Sequence, residues 1–206
     1  MTSVSELCLF KFILLGESGV GKTSTYVRWK EGTFEPDTRY CVGLEFASRS
    51  LSVGPEQETV RIQLWDTAGQ ERYGTFSKLY FRGAAVVVLV MDATKVGALE
   101  KAERWLTLAR ECAPPDVIVM LLSNKSDLFG SQQRAVTRSD VDAFAAQHQL
   151  VHVETSAKTG DGIEQAFELG LSLAYAARCP PNTHAETSNV TLQPQAQPRT
   201  TTTCWC

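Results

Sequence analysis

The segment Gly16-Glu17-Ser18-Gly19-Val20-Gly21-Lys22-Thr23 sets glycines, a lysine and a hydroxyl at the spacing that holds a nucleotide polyphosphate with Mg²⁺. The glycines let successive backbone N–H groups converge on phosphate oxygens, and the positive end of a following helix points to the same place. Lys22 neutralises charge there, and Thr23 offers Mg²⁺ an oxygen. Three more polar clusters have the composition of ligand loops: Asp66-Thr67-Ala68-Gly69-Gln70, Asn124-Lys125-Ser126-Asp127 and Thr155-Ser156-Ala157-Lys158. The Asp66 carboxylate, at the end of an apolar run, suits an outer-sphere partner of Mg²⁺, and Gly69 can turn its N–H towards a terminal phosphate. The Asp127 carboxylate can accept from both N1–H and the exocyclic amine of guanine, donors that adenine lacks at that edge, so this cluster selects the base.

Such loops act together only if strands carry them to one edge. Apolar runs at Leu9–Leu15, Leu44–Val53, Val60–Trp65, Ala85–Met91, Val117–Ser123 and Val151–Glu154 alternate with helical patterns. That order predicts an α/β domain with a mostly parallel six-stranded sheet and helices on both faces. The second and third runs are joined through Gly54-Pro55-Glu56, which is turn chemistry, so they should form an antiparallel edge hairpin. Leu99, Ala102, Trp105, Leu106 and Ala109 recur at helical spacing, as do Val141, Phe144 and Ala145, and Ile163, Ala166, Phe167, Gly170 and Leu171. These are core faces. Lys22 to Trp29 can continue as a helix from the glycine loop. In an open sheet of this kind ligands bind beyond the strand C-terminal ends, where all four polar clusters fall.

The chain has 206 residues and a net charge of -3, which suggests one domain with a tail and gives no support to nucleic-acid binding. Residues 1–177 carry the periodic pattern; residues 178–206 turn to Pro, Thr, Gln, Asn and Ser and read as a flexible tail. The cysteines, Cys8, Cys41, Cys112, Cys179, Cys204 and Cys206, lack zinc-site spacing, and a reduced cytosolic setting is expected. Lys11 interrupts the Leu7–Leu15 run, which leads into the glycine loop and reads as a buried strand rather than an export signal. No run approaches the roughly 18 apolar residues of a membrane span.

In its motifs the sequence resembles the Ras superfamily of small GTPases, and most closely the Rab family. The resemblance rests on Ser18 in the glycine loop, Val42-Gly43-Leu44-Glu45-Phe46, Leu64 to Tyr73, Tyr80-Phe81-Arg82-Gly83-Ala84, and Glu154 to Lys158. It implies the P-loop NTPase (small G-protein) fold and a GDP/GTP switch in vesicle traffic. By resemblance, Ser18, Gly19, Val20, Gly21, Lys22, Thr23 and Ser24 surround the phosphates, and Phe34 packs on guanine. Asn124, Lys125 and Asp127 read and support the base, with Ser156, Ala157 and Lys158 completing its pocket. Gln70 positions the attacking water. This chemistry is slow alone, and a partner's arginine adds about 10³ to 10⁵ in rate in Ras-type enzymes. Phe46, Trp65 and Tyr80 match the aromatic triad through which Rab effectors read the switch; ordinary packing of the hairpin accounts for the same residues, and the two roles are compatible.

One position departs from the family. Rab proteins carry a threonine ligand to Mg²⁺ where this chain has Cys41, and Thr38 lies three residues too early to replace it. Mg²⁺ prefers hard oxygen ligands, and a thiol is soft. Three consequences remain open: a weakened GTP state, substitution by water with little effect, or a bias towards GDP. The C-terminal Cys204-Trp205-Cys206 resembles the Rab Cys-x-Cys terminus and implies a geranylgeranyl group on each cysteine; a Cys-a-a-X box is absent because Thr203 stands fourth from the end. The resemblance further implies an exchange factor, a GTPase-activating protein, effectors, a prenyl carrier of the GDP-dissociation-inhibitor type, and cycling of a monomer between cytosol and the cytosolic face of a membrane. The rivals are a P-loop kinase or ATPase, and a GTPase-fold binding protein that no longer cycles because of Cys41.

Overall fold

The first strand decides the layering. In β1 (Leu9–Leu15), Phe10, Phe12 and Leu14 point to one face and Ile13 and Leu15 to the other, and all five are buried. A strand covered on both sides lies inside its sheet. The computed structural model describes residues 8–36, 45–67, 78–130 and 134–179. Its elements run β1, α1 (Lys22–Glu31), β2 (Glu45–Val53), β3 (Glu58–Asp66), α2 (Lys78–Phe81), β4 (Ala84–Asp92), α3 (Ala98–Cys112), β5 (Ile118–Asn124), α4 (Arg138–Gln147), β6 (Val151–Glu154) and α5 (Ile163–Arg178). The six strands form one sheet in the order β2-β3-β1-β4-β5-β6. Only β2 is antiparallel, pairing with β3 from Glu45↔Asp66 to Val53↔Glu58.

Phe10, Phe12 and Leu14 share a core with α1 and α5, and Ile13 and Leu15 share one with α2, α3 and α4. Phe167 of α5 lies between Phe12 and Trp29, with ring centroids 5.9 and 5.4 Å away. Burial of one such ring contributes about 1.5–3 kcal/mol, so this cluster fixes α1 and α5 to the sheet. Gly170 permits the close approach of α5 to the sheet: a Cβ there would fall 2.6 Å from Met120 Sδ. Arg49 of β2 ties both helices again, with Nη1 donating to the Trp29 carbonyl at 2.8 Å and the guanidinium gripping Glu164 at 2.9 and 3.0 Å.

Several boundaries move from the sequence expectation, each for a visible reason. β3 starts two residues early because Glu58 and Thr59 pair through their backbones with Val53 and Ser52, which hydropathy does not register. β5 starts at Ile118, since the Val117 N–H closes a turn on the Pro114 carbonyl at 3.1 Å. β4 and β5 end on the polar Asp92 and Asn124, which pair with each other in register. Leu44, expected to open β2, lies outside the described residues.

Candidate functional site

The chain leaves β1 at Leu15, curls through Gly16–Gly21 and enters α1 at Lys22. Gly21 adopts φ 101°, and no side chain caps the helix it begins. The first N–H groups of α1 thus keep the partial positive charge that draws an anion. Lys22, only 4% exposed, lies within the curl, with Nζ 2.9 Å from each of the Gly16 and Glu17 carbonyls. Thr23 and Ser24 follow on the helix, Ser18 and Gly19 are exposed, and Val20 is buried.

The loop after β5 is bound directly to this curl. Asn124 Nδ2 donates to the Val20 carbonyl at 2.9 Å, while Asn124 Oδ1 accepts from the Ala157 N–H at 3.1 Å. One amide thereby joins the glycine loop to the loop after β6. The approach needs a glycine, because a Cβ on Gly21 would meet Asn124 Nδ2 at 2.3 Å. Lys125, at φ 67°, extends Nζ to the Gly19 carbonyl at 2.9 Å and to Asp92 Oδ2 at 2.6 Å. Thr94 binds the other Asp92 oxygen through N–H at 3.0 Å and Oγ1 at 2.6 Å. Burial pushes the Asp92 carboxyl up, but the bonds from Lys125 and Thr94 outweigh it and hold the group below its ordinary range.

Asp127 sits in a 3-10 turn, Ser126–Leu128. Its Oδ1 accepts from Ser156 Oγ at 2.6 Å, and Lys158 Nζ lies 3.9 Å from Oδ2. Ser156 Oγ in turn accepts from the Thr159 N–H at 3.1 Å. Arg28 of α1 donates Nε to the Ala157 carbonyl at 2.8 Å and a second nitrogen to Lys158 O, so the glycine-loop helix also holds the base-side loop. The other expected base residues therefore converge, and Phe34 lies half-buried in the irregular segment after α1.

On the other side of β1, Asp66 closes β3 and is 3% exposed, and Thr67 Oγ1 donates to the Leu14 carbonyl at 2.6 Å. The donor set of Thr23 hydroxyl and Asp66 carboxylate is entirely oxygen, which fits Mg²⁺. Cys41, Gly69, Gln70, Cys204 and Cys206 lie outside the described residues. A cavity of about 160 Å³ opens between the glycine loop and α3, lined by Glu17, Ser18, Lys95, Lys101 and Trp105 among others. It shares Gly16–Val20 with the phosphate curl, but Lys22, Asn124, Asp127 and Ser156 are not on its wall, so it is a neighbour of that site.

Phe46 and Trp65 stack on the hairpin at 4.9 Å and 20°, with Phe46 54% exposed. Lys11 Nζ lies 4.6 Å from the Trp65 ring and donates to the Tyr80 carbonyl at 2.5 Å. Phe46 thus stacks on the ring that lies against Lys11, and the same lysine is bonded to the backbone of Tyr80.

The Ras family model matches residues 11–175. The chain belongs to the Ras family. This Ras-family chain is 42% identical to human Ras-related protein Rab-4B over 159 residues, 77% of this chain and 73% of that protein. It is also 42% identical to Ras-related protein rab-11.1 of Caenorhabditis elegans over 167 residues, 81% and 77% of the two chains. With the GTP-binding protein ypt3 of Schizosaccharomyces pombe it shares 38% identity over 164 residues, 80% and 75% of the two chains. Within the Ras family its relatives are therefore of the Rab type, as the motifs predict.

Sequence reasoning did not single out Asp92, Arg28 or His152, and took Lys11 only as an interruption of an apolar run. Asp92 had a usable signal, since it closes an apolar strand at the edge where ligand loops gather. Arg28 and His152 act through partners more than a hundred residues away or across strands, and carry no local signature.

Proposed function

We propose that this Rab-type protein is a GDP/GTP switch that hydrolyses GTP and regulates vesicle traffic, with the glycine loop, Asn124 to Asp127 and Ser156 to Lys158 as its nucleotide pocket. The observation that carries the reading is the Asn124 amide, which binds Val20 O on the phosphate side and Ala157 N on the base side. Two loops held by one side chain suit a ligand with a polyphosphate at one end and a base at the other.

In this reading Gly19 to Ser24 and Gly69 supply backbone and side-chain donors to the phosphates, and Lys22 supplies fixed positive charge. Asp127, oriented by Ser156, accepts from the guanine N1–H and amine. Lys125 braces the phosphate loop from the base side. Phe34 would close over the base. Thr23 and Asp66 would hold Mg²⁺, with Cys41 a weak third candidate. The ion supplies neutralisation of phosphate charge when bound. Gln70 would orient the attacking water for hydrolysis. Phe46 and Trp65, stacked on the hairpin, and Tyr80, bonded through its carbonyl to Lys11, would form the surface for effectors.

Among the described residues no helix is long and apolar enough to cross a membrane. Membrane attachment would come from lipid on Cys204 and Cys206, with residues 178–206 as tether to the G domain and a GDP-dissociation-inhibitor-type carrier shielding both lipids in the cytosol. An exchange factor and a GTPase-activating protein would set the state of the monomer. The deciding experiment is competition against fluorescent GDP on the full chain with Mg²⁺. GTP and GDP should displace it at comparable concentrations and ATP should fail at a thousandfold excess; displacement by ATP at equal concentration overturns the reading.

A further inference from the structure

His152 and Glu154 are two residues apart on β6 and both engage α4 or the segment before it. His152 Nδ1 lies 2.8 Å from Asp142 Oδ1 on α4, and Nε2 lies 2.9 Å from Ser123 Oγ on β5. Glu154 meets Arg134 at 2.7 Å and Arg138 at 3.4 Å, and Arg138 stands 3.5 Å from the second oxygen of Asp142. A capping box of Thr137 and Asp140 fixes the start of α4, so Asp142 is presented from an anchored helix.

Serine, histidine and carboxylate in series have the order of a hydrolytic triad. Ser123 is 0% exposed within the sheet, so no substrate carbon reaches its oxygen and the arrangement does not serve nucleophilic catalysis. What Ser123 does touch is the base-side machinery. It is the residue before Asn124, it pairs with Glu154 in register, and its carbonyl accepts the Thr155 N–H at 2.9 Å. It stands at the joint from which both base loops depart.

We infer that His152 is a positioning residue for guanine recognition: steered by Asp142, its Nε2 holds the Ser123 hydroxyl and so sets the Asn124–Asp127 loop against Thr155–Ala157. This rests on the nucleotide-pocket reading above. With neutral imidazole, Nδ1–H donates to the exposed carboxylate of Asp142 and Nε2 accepts from the Ser123 hydroxyl. A buried hydroxyl left without a partner is costly, so Ser123 and His152 depend on each other. Asp142 acts on the base at two removes, through orientation of the ring.

The test compares release of labelled GDP and labelled inosine diphosphate, which lacks the exocyclic amine, from the full chain. His152→Gln keeps a polar atom near the Nε2 position, whereas His152→Asn keeps one near Nδ1. His152→Asn and Ser123→Ala should release GDP about tenfold faster, the effect of one hydrogen bond, and narrow the preference for GDP over inosine diphosphate. His152→Gln should restore most of that preference. Asp142→Ala, at an exposed position, should narrow it in the same direction and serves if changes at the buried ring unfold the protein. Equal behaviour of the Gln and Asn variants, or equal acceleration for both nucleotides, overturns the proposal and leaves a packing role. Asp127→Ala is the control: if it narrows the preference and the His152 and Ser123 variants do not, the relay alone fails. If Asp127→Ala leaves the preference unchanged, the pocket assignment fails and the relay with it.

Discussion

Lys125 Nζ stands 2.6 Å from Asp92 Oδ2 and 2.9 Å from the Gly19 carbonyl, so one ammonium ties the end of β4 to the phosphate loop. Asp92 is 3% exposed and Lys125 about a third exposed, which makes the carboxylate the more dependent partner.

Asp92→Asn should therefore cost about 1–2 kcal/mol, less than a fully buried pair because solvent reaches Lys125. The pH dependence has a definite sign. The folded carboxyl titrates below its ordinary value of 3.8, so its contribution is complete above that value and is lost as pH falls through the lowered one. Urea unfolding should give a constant gap between native protein and variant from pH 5 to 8, closing only in stronger acid. A gap that changes between pH 5 and 8 would assign the effect to another group.

Gly21→Ala tests the link between the two halves of the pocket. The residue holds φ 101°, and its Cβ would strike Asn124 Nδ2 at 2.3 Å. A left-handed alanine alone costs about 1–2 kcal/mol, and displacing the amide also removes its bond to Val20. GDP release should accelerate tenfold or more while circular dichroism shows the fold retained. Unchanged release would mean that the amide does not hold the ligand site together.

Lys11→Met tests the aromatic surface. Lys11 binds the Tyr80 and Arg82 carbonyls and lies against the Trp65 ring. A partly desolvated cation–π contact contributes about 0.5–2 kcal/mol, so the melting temperature should fall by a few degrees. Trp65 emission should shift, and any GTP-dependent partner that also requires Phe46 should bind more weakly. Partner binding lost with Phe46→Ala but intact in Lys11→Met would limit the lysine to a packing role.

Cys41→Thr bears on the switch itself. Restoring a hard oxygen where Rab proteins carry threonine should tighten a non-hydrolysable GTP analogue selectively over GDP when Mg²⁺ is present. Equal effects on both nucleotides, or none, would remove Cys41 as the cause of any bias between states.

β1 and β4 were legible because buried parallel strands are nearly continuous apolar runs: β1 matches the sequence expectation to the residue and β4 extends it by one at each end, while the half-buried β6, Val-His-Val-Glu, also matches. What escaped was paired through the backbone or short. Glu58 and Thr59 join β3 by ladder bonds alone, and α2 has four residues, too few for a period. In the pocket, Asp127 was legible from its chemistry and Asn124 and Ser156 from the family resemblance, and the structure brings them together. Asp92 carried only its place at a strand end, and His152 carried nothing, because Lys125 and Ser123 reach them from the end of the neighbouring strand.

The strand order has one more consequence. Strand β1 divides the sheet, with Asp66 and the aromatic hairpin on β3 and β2 to one side and the loops after β5 and β6 to the other. In the proposed reading, base recognition at Asn124, Asp127 and Ser156 and partner recognition at the hairpin therefore fall on opposite sides of β1. On that reading a partner could clasp the hairpin half without touching Asn124, Asp127 or Ser156. Memory and display would then be separable, and a message could change without its carrier being released.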